Sequence, residues 1–130
     1  MANLKTKESI SQIQNLVIPE IREKYSDLAN LKKVEINIDF DSFENNSTEV
    51  DYVGGQVSRA FDKVREMMSR SDVAKQEIEK QFKKITVGLV KDESQRVVKF
   101  NNGELTLLST SIINSYLSSD EIENAFEEGL

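Results

Sequence analysis

The stretch ITVGLVKDESQRVVKFNNGELTLL, residues 85–108, is where the chain stops reading as helix. Ile85 to Val90 and Arg96 to Phe100 are short runs rich in β-branched and aromatic residues, and Leu105 to Leu108 opens a third. Polar residues bound each run, as strand signals require. Asn101-Asn102-Gly103 supplies side chains that tolerate positive φ, the need of a tight hairpin. Taken in chain order, these runs predict a three-stranded antiparallel meander with turns at residues 91–95 and 101–103.

Upstream of it the period is helical. Ala74, Ile78, Phe82 and Ile85 share one side behind a Ser71-Asp72 cap. Val50, Val53, Val57, Ala60, Phe61, Val64, Met67 and Met68 form a longer stripe with Gly54 and Gly55 inside it. Each glycine weakens a helix by about 1 kcal/mol, so the helix either begins near Ser58 or keeps the glycines for close backbone packing. Residues 44–49 read as a polar loop. Before it, Val34, Ile36, Ile38 and Phe40 alternate with Glu35, Asn37, Asp39 and Asp41, the pattern of a half-buried strand.

The chain opens on Ile10, Ile13, Val17, Ile21, Tyr25 and Leu28, an amphipathic stripe that should end near Asn30. Pro19 lies inside it and should kink or divide the helix, because its nitrogen cannot donate. At the other end Ser118 with Glu121 resembles a capping box, and Ile122, Ala125 and Phe126 give a short helix its apolar side. The expected architecture is a single α+β domain over residues 1–130. It comprises an N-terminal helix, one strand, one or two central helices, the meander and a short C-terminal helix.

Composition narrows the chemistry. A chain of 130 residues that is 38% hydrophobic can bury one core. Cysteine, histidine and tryptophan are all absent. That removes disulfides, thiolate- or imidazole-held metals and every histidine-based catalytic arrangement. The amino terminus carries no apolar run of signal-peptide length and no stretch approaches the ~20 apolar residues of a membrane span. A cytoplasmic protein away from membranes is the expectation.

The net charge of −6 is unevenly distributed. Residues 1–33 hold six bases and four acids, and residues 59–99 hold eleven bases and seven acids. Residues 34–58 contain six acids and no base, and residues 100–130 repeat that count. Two acidic blocks thus bracket a mildly basic middle. They are explained either by internal pairing with the basic helices or by an acidic face that meets a basic partner.

No catalytic set assembles on paper. Asp39 and Asp41, at i and i+2 beyond a hydrophobic strand, can share a divalent cation through oxygen ligands. The same alternation also explains them as a continuation of the wet face begun by Glu35 and Asn37. Gly54-Gly55 lacks the rest of a phosphate loop. The hydroxyls between Ser109 and Ser119 read as turn and cap residues. Arg59, Lys63, Glu66 and Arg70 read as a solvated helix face. The pI of about 4.8 and the lack of interleaved aromatics argue against nucleic acid.

The expectation is therefore a non-enzymatic protein-interaction domain, adaptor-, chaperone- or immunity-like, with no cofactor. It would offer Glu35, Asp39, Asp41, Glu44, Glu121, Glu123, Glu127 and Glu128 to a basic protein. Self-association through an open sheet edge or the stripe from Phe61 to Met68 is a further expectation. The alternative is a divalent-metal-dependent enzyme or ligand binder built on Asp39 and Asp41.

Overall fold

A computed structural model of the chain describes residues 3–25, 33–43, 47–110 and 118–130. Its described elements form an α+β layout, one four-stranded sheet with helices against one face. Helix α1 (Leu4–Gln12) runs through a π-helical turn at Ile13–Val17 into α2 (Ile18–Lys24). Strand β1 (Glu35–Ile38) is followed by a 3₁₀ turn, Phe40–Phe43. Helices α3 (Ser47–Arg70) and α4 (Asp72–Gln81) lead to β2 (Lys84–Leu89), β3 (Val97–Asn101) and β4 (Glu104–Ser109). Helix α5 (Ser119–Gly129) closes the order.

At Pro19 the helical run continues, with a π turn at Ile13–Val17 separating α1 from α2. The π turn before it lets the Ile18 N–H donate to the Ile13 carbonyl, one residue further back than in an α-helix. This widened turn absorbs the proline, which would otherwise crowd and leave unpaired the carbonyl four residues upstream. The expected end near Asn30, with Leu28, lies outside the described residues. Helix α3 keeps both glycines and starts at Ser47, inside the stretch expected as loop. Gly54 is required there: a Cβ would sit 2.7 Å from Val17 Cγ1, where the π turn presses on α3. In front of Gly55 there is open space.

The strands occupy the expected positions, but the meander pairing is corrected. The sheet order is β1-β2-β4-β3, with β2 parallel to both β1 and β4 and only β3–β4 antiparallel. The hairpin forms as expected at Asn102 and Gly103, both at positive φ. Burial decides which arm takes the centre. Leu105 and Leu107 of β4 are fully buried, whereas Lys99 of β3 is exposed and Val97 and Val98 are half-buried. The more apolar strand goes inside and the charged one to the edge. The hairpin tip is clipped to the start of β2, because Lys83 and Lys84 N–H groups both donate to the Gly103 carbonyl at 2.9 and 3.1 Å.

Register places Ile36, Ile38, Ile85, Val87, Leu105, Leu107, Val98 and Phe100 on one face. That face and the helices enclose a line of rings. Tyr25 stacks on Phe61 at 5.5 Å, Phe61 lies 6.2 Å from Phe82, and Phe82 meets Phe126 edge-on at 5.3 Å. Phe100 closes on Phe126 at 4.7 Å. These contacts add directional preference to area burial. The opposite face carries Glu35, Asn37, Lys84, Thr86, Lys99 and Glu104. Phe61, Val64, Met67 and Met68 are buried in this core, so the expected self-association through that stripe is withdrawn.

Candidate functional site

Two acidic regions were expected to act, and each is built differently. The first lies beyond β1. The strand stops at Ile38, and the chain turns at once into the 3₁₀ segment, so Asp39 and Asp41 do not extend a pleat as the alternation suggested. Ser42 forms the turn: its hydroxyl donates to the Asp39 carbonyl at 2.6 Å and accepts the Leu89 N–H at 2.9 Å. The Asp39 N–H reaches the Val87 carbonyl at 2.9 Å and carries the parallel ladder one residue further. The turn lies over Gly88, where a Cβ would be 3.6 Å from that of Asp39, an ordinary contact, and 3.1 Å from Leu108 Cδ2, a tight one.

The outcome is an open recess of about 510 Å³ lined by Asn37, Ile38, Asp39, Phe40, Asp41 and Thr86. Both aspartates are exposed, and no base pairs with either among the described residues. Glu35, on the adjoining polar face, stands 3.9 Å from Lys84 Nζ. Thr86 donates its hydroxyl to the Glu104 carboxylate. Glu44 lies outside the described residues. No cluster of three or more acidic side chains able to hold a metal occurs among the described residues.

The second region is α5. Its start follows the sequence: the Ser118 hydroxyl accepts the Glu121 N–H at 3.2 Å, and the Glu121 carboxylate accepts the Ser118 N–H at 3.3 Å. This satisfies two end donors of the helix. The next carboxylates are spoken for. Glu121 pairs with Arg96 at 2.6 Å, and Glu123 pairs with Arg70 at 2.6 Å. Arg70 also holds Glu66 at 2.8 Å, and Glu66 takes Lys63 at 3.1 Å. The guanidinium of Arg70 is held above its ordinary pKa by Glu123 first and Glu66 second. The Glu66 carboxyl is held below its usual value by hydrogen bonds from Lys63, then Arg70.

Lys63 is a correction to the solvated face expected of α3. It is only 8% exposed, with its stem covered and its amine turned to Glu66. Long basic side chains commonly bury their methylenes this way. Ser109 and Thr110, expected as connector hydroxyls, are also buried, with Gln56 donating to the Ser109 hydroxyl at 3.4 Å. Residues 111–117 of that connector lie outside the described residues.

Glu127 and Glu128 differ from Glu121 and Glu123. Both are exposed in the last turn, which contains no base, and neither forms an ion pair among the described residues. Negative charge at a helix C-terminus opposes the dipole. Beside Glu127 runs a groove of about 350 Å³ between the α3–α4 junction and the end of α5, with Met67, Val73, Ala74 and Leu130 as its apolar lining. Sequence reading missed this groove. Val73 was the available signal: it falls off the Ala74–Ile78 stripe and is 71% exposed.

A third polar cluster ties α2 to α3. Tyr25, buried against Phe61, hydrogen-bonds Asp62, and Lys24 pairs with the same carboxylate at 3.3 Å. Arg65 stacks over the Tyr25 ring at 4.6 Å and donates to the Lys24 carbonyl at 3.0 Å. Burial, then the Asp62 contact, push the Tyr25 hydroxyl above its usual pKa. It joins two helices. No described helix is long and apolar enough to cross a membrane. No known protein family matches this chain, and no curated protein or solved structure shows detectable similarity to it.

Proposed function

We propose that this chain is a non-enzymatic protein-interaction domain that offers acidic surface to a basic partner protein. One observation supports it above the others: Glu127 and Glu128 stay exposed, with no ion pair among the described residues, at the pole of α5 where their charge is least favourable. A cation supplied from outside would relieve that cost, and complementary potential would speed the encounter. Asp39 and Asp41, exposed in the recess beyond β1, extend the same reading to a second surface. Glu35, Glu121 and Glu123 leave the proposed contact set, because their charges are met by Lys84, Arg96 and Arg70. Adaptor, chaperone-like and inhibitor-like roles all fit such a surface, in a cytoplasmic setting and without nucleic acid.

The test is quantitative capture on immobilised protein, comparing wild type with Glu127→Lys/Glu128→Lys and with Asp39→Lys/Asp41→Lys. A basic protein that is enriched on wild type and lost from a charge-reversed variant is expected. Equal recovery on all three proteins would sink the reading. Self-association through the outer edge of β1, which pairs with no other strand among the described residues, is read by light scattering.

The second reading is a divalent-cation binder at Asp39 and Asp41. What favours it is that Asn37, Asp39, Asp41 and Thr86 share one open recess. Thermal melting with Mg²⁺, Mn²⁺ and Ca²⁺ tests it. A site filled at 100 times its Kd would add about 2.7 kcal/mol, and Asp39→Asn should abolish that gain.

A further inference from the structure

We infer that the groove between the α3–α4 junction and the end of α5 is the anchor point for a basic amphipathic segment of the partner protein. The inference rests on the reading that the partner is a basic protein, and adds where it binds and by what chemistry. The floor is Met67, with Val73 and Ala74 on one wall and Leu130 on the other. Such a trough takes one aliphatic or aromatic side chain. Val73 is the most exposed valine of the described chain and contributes nothing to the core stripe of α4.

Two carboxylates and one guanidinium line it. Glu77 and Glu127 stand on opposite rims. The base at the groove, Arg70, is engaged by both Glu66 and Glu123, so its charge is spent inside the molecule. The carboxyl end of α5 adds the negative pole of its dipole. The positive pole of α4 is met by Asp72 in its first turn and by the Ser71 cap. Glu77 accepts a hydrogen bond from the neutral Gln81 amide at 2.6 Å, which leaves its charge uncompensated. An apolar slot rimmed by unspent carboxylates selects a segment in which a large apolar residue is flanked by lysine or arginine. On a helix those flanking bases would fall three or four positions away, within reach of both rims.

A second copy offers the same chemistry at exposed Leu4, which is followed by Lys5 and Lys7. Joining that end to the groove is a head-to-tail contact, which propagates unless its rotation closes a ring. A partner segment needs no such closure, and it is the occupant proposed.

The probe is a fluorescein-labelled, 15-residue helical peptide of leucine, alanine and lysine with leucine along one face. Its twin carries glutamine for every lysine. Anisotropy is read on the full chain at low and at physiological ionic strength. Wild type should bind the basic peptide and not the twin. Val73→Asp, at an exposed position that leaves the melt unchanged, should weaken binding about tenfold or more. Glu77→Gln with Glu127→Gln should weaken it about fivefold at low salt, with the difference shrinking as salt rises. Glu35→Gln, outside the proposed contact set, should leave it unchanged, and Asp39→Asn with Asp41→Asn is measured beside it.

If the Asp39/Asp41 variant weakens binding and Val73→Asp does not, the groove is the wrong surface while the acidic-surface reading stands. Binding of both peptides alike, or of neither, overturns the groove proposal. So does concentration-dependent self-association of wild type that Val73→Asp and Leu4→Asp each abolish, because a second copy then fills the slot.

Discussion

The recess beyond β1 and the end of α5 carry the same charge and stand in opposite surroundings. Asp39 and Asp41 sit in a mostly polar hollow at the rim of a four-residue edge strand, held by the Ser42 turn. Glu127 sits beside an apolar groove, on a helix bolted to the core through Ile122, Ala125 and Phe126. The comparison teaches that a block of acids in the sequence is not a functional unit. Within α5 alone, Glu121 and Glu123 are consumed by arginines, while Asp120, Glu127 and Glu128 pair with no base among the described residues. What lies beneath an unpaired charge, apolar trough or polar turn, decides whether it can do more than attract.

Removing the anchor of α5 should break that comparison most severely. Phe126→Ala empties the meeting point of Phe82 and Phe100, and urea denaturation should show a loss of about 3–5 kcal/mol. Peptide binding at the groove should vanish with it, while any cation effect at Asp39 survives. Next is Gly129→Ala, where a Cβ would stand 2.0 Å from the Phe100 carbonyl oxygen. Backbone cannot move aside as a side chain can, so the end of α5 must lift, at a cost of about 1–3 kcal/mol. A chemical-shift map should place the disturbance at Leu130 and Val73.

A smaller effect sharpens the contrast. Glu121→Ala removes both a capping contact and the Arg96 pair, and should cost about 1–2 kcal/mol. Asp39→Asn, which breaks no ion pair, should stay within about 0.5 kcal/mol of wild type in the same melts. Acid should report the least. The Glu66 carboxyl titrates below its ordinary 4.5 in the folded chain because of Lys63 and Arg70. A depressed folded pKa gives stability that is present above the unfolded value and is lost as pH falls through the folded one. Glu66→Gln should therefore flatten the stability profile below about pH 4.5, relative to wild type. Parallel curves would mean that the chain from Lys63 to Glu123 is not what pins α5.

Much of the molecule was readable from local pattern. The Ser71 and Ser118 caps, the Asn102–Gly103 hairpin and the core stripe from Val50 to Met68 each depend on residues close in sequence. The recess at Asp39 and Asp41 was legible as a pair of carboxylates, though not as a 3₁₀ turn, because the alternation of residues 34–41 continues past the point where Ser42 captures the backbone. The groove was not legible. Its walls come from residues 67–77 and 127–130, and nothing in either segment announces the other. Lys63 shows the same limit, since a basic residue at a helical surface position carries no sign that it will be covered.

By itself the order of residues determined which segments form helices and strands, where the Ser71 and Ser118 caps start a helix, and that one apolar core would be built without cysteine or histidine chemistry. These follow from periodicity, caps and turn residues, which act over a few positions. Only the tertiary structure decided that β4 enters between β2 and β3, that Gly54 receives the π turn of the first helix, and that Arg70 and Arg96 neutralise Glu123 and Glu121 among the C-terminal acids. Each is a contact between segments far apart in the chain. Such contacts are chosen by which burial and which pairing lower the free energy of the whole, and no local pattern encodes that choice.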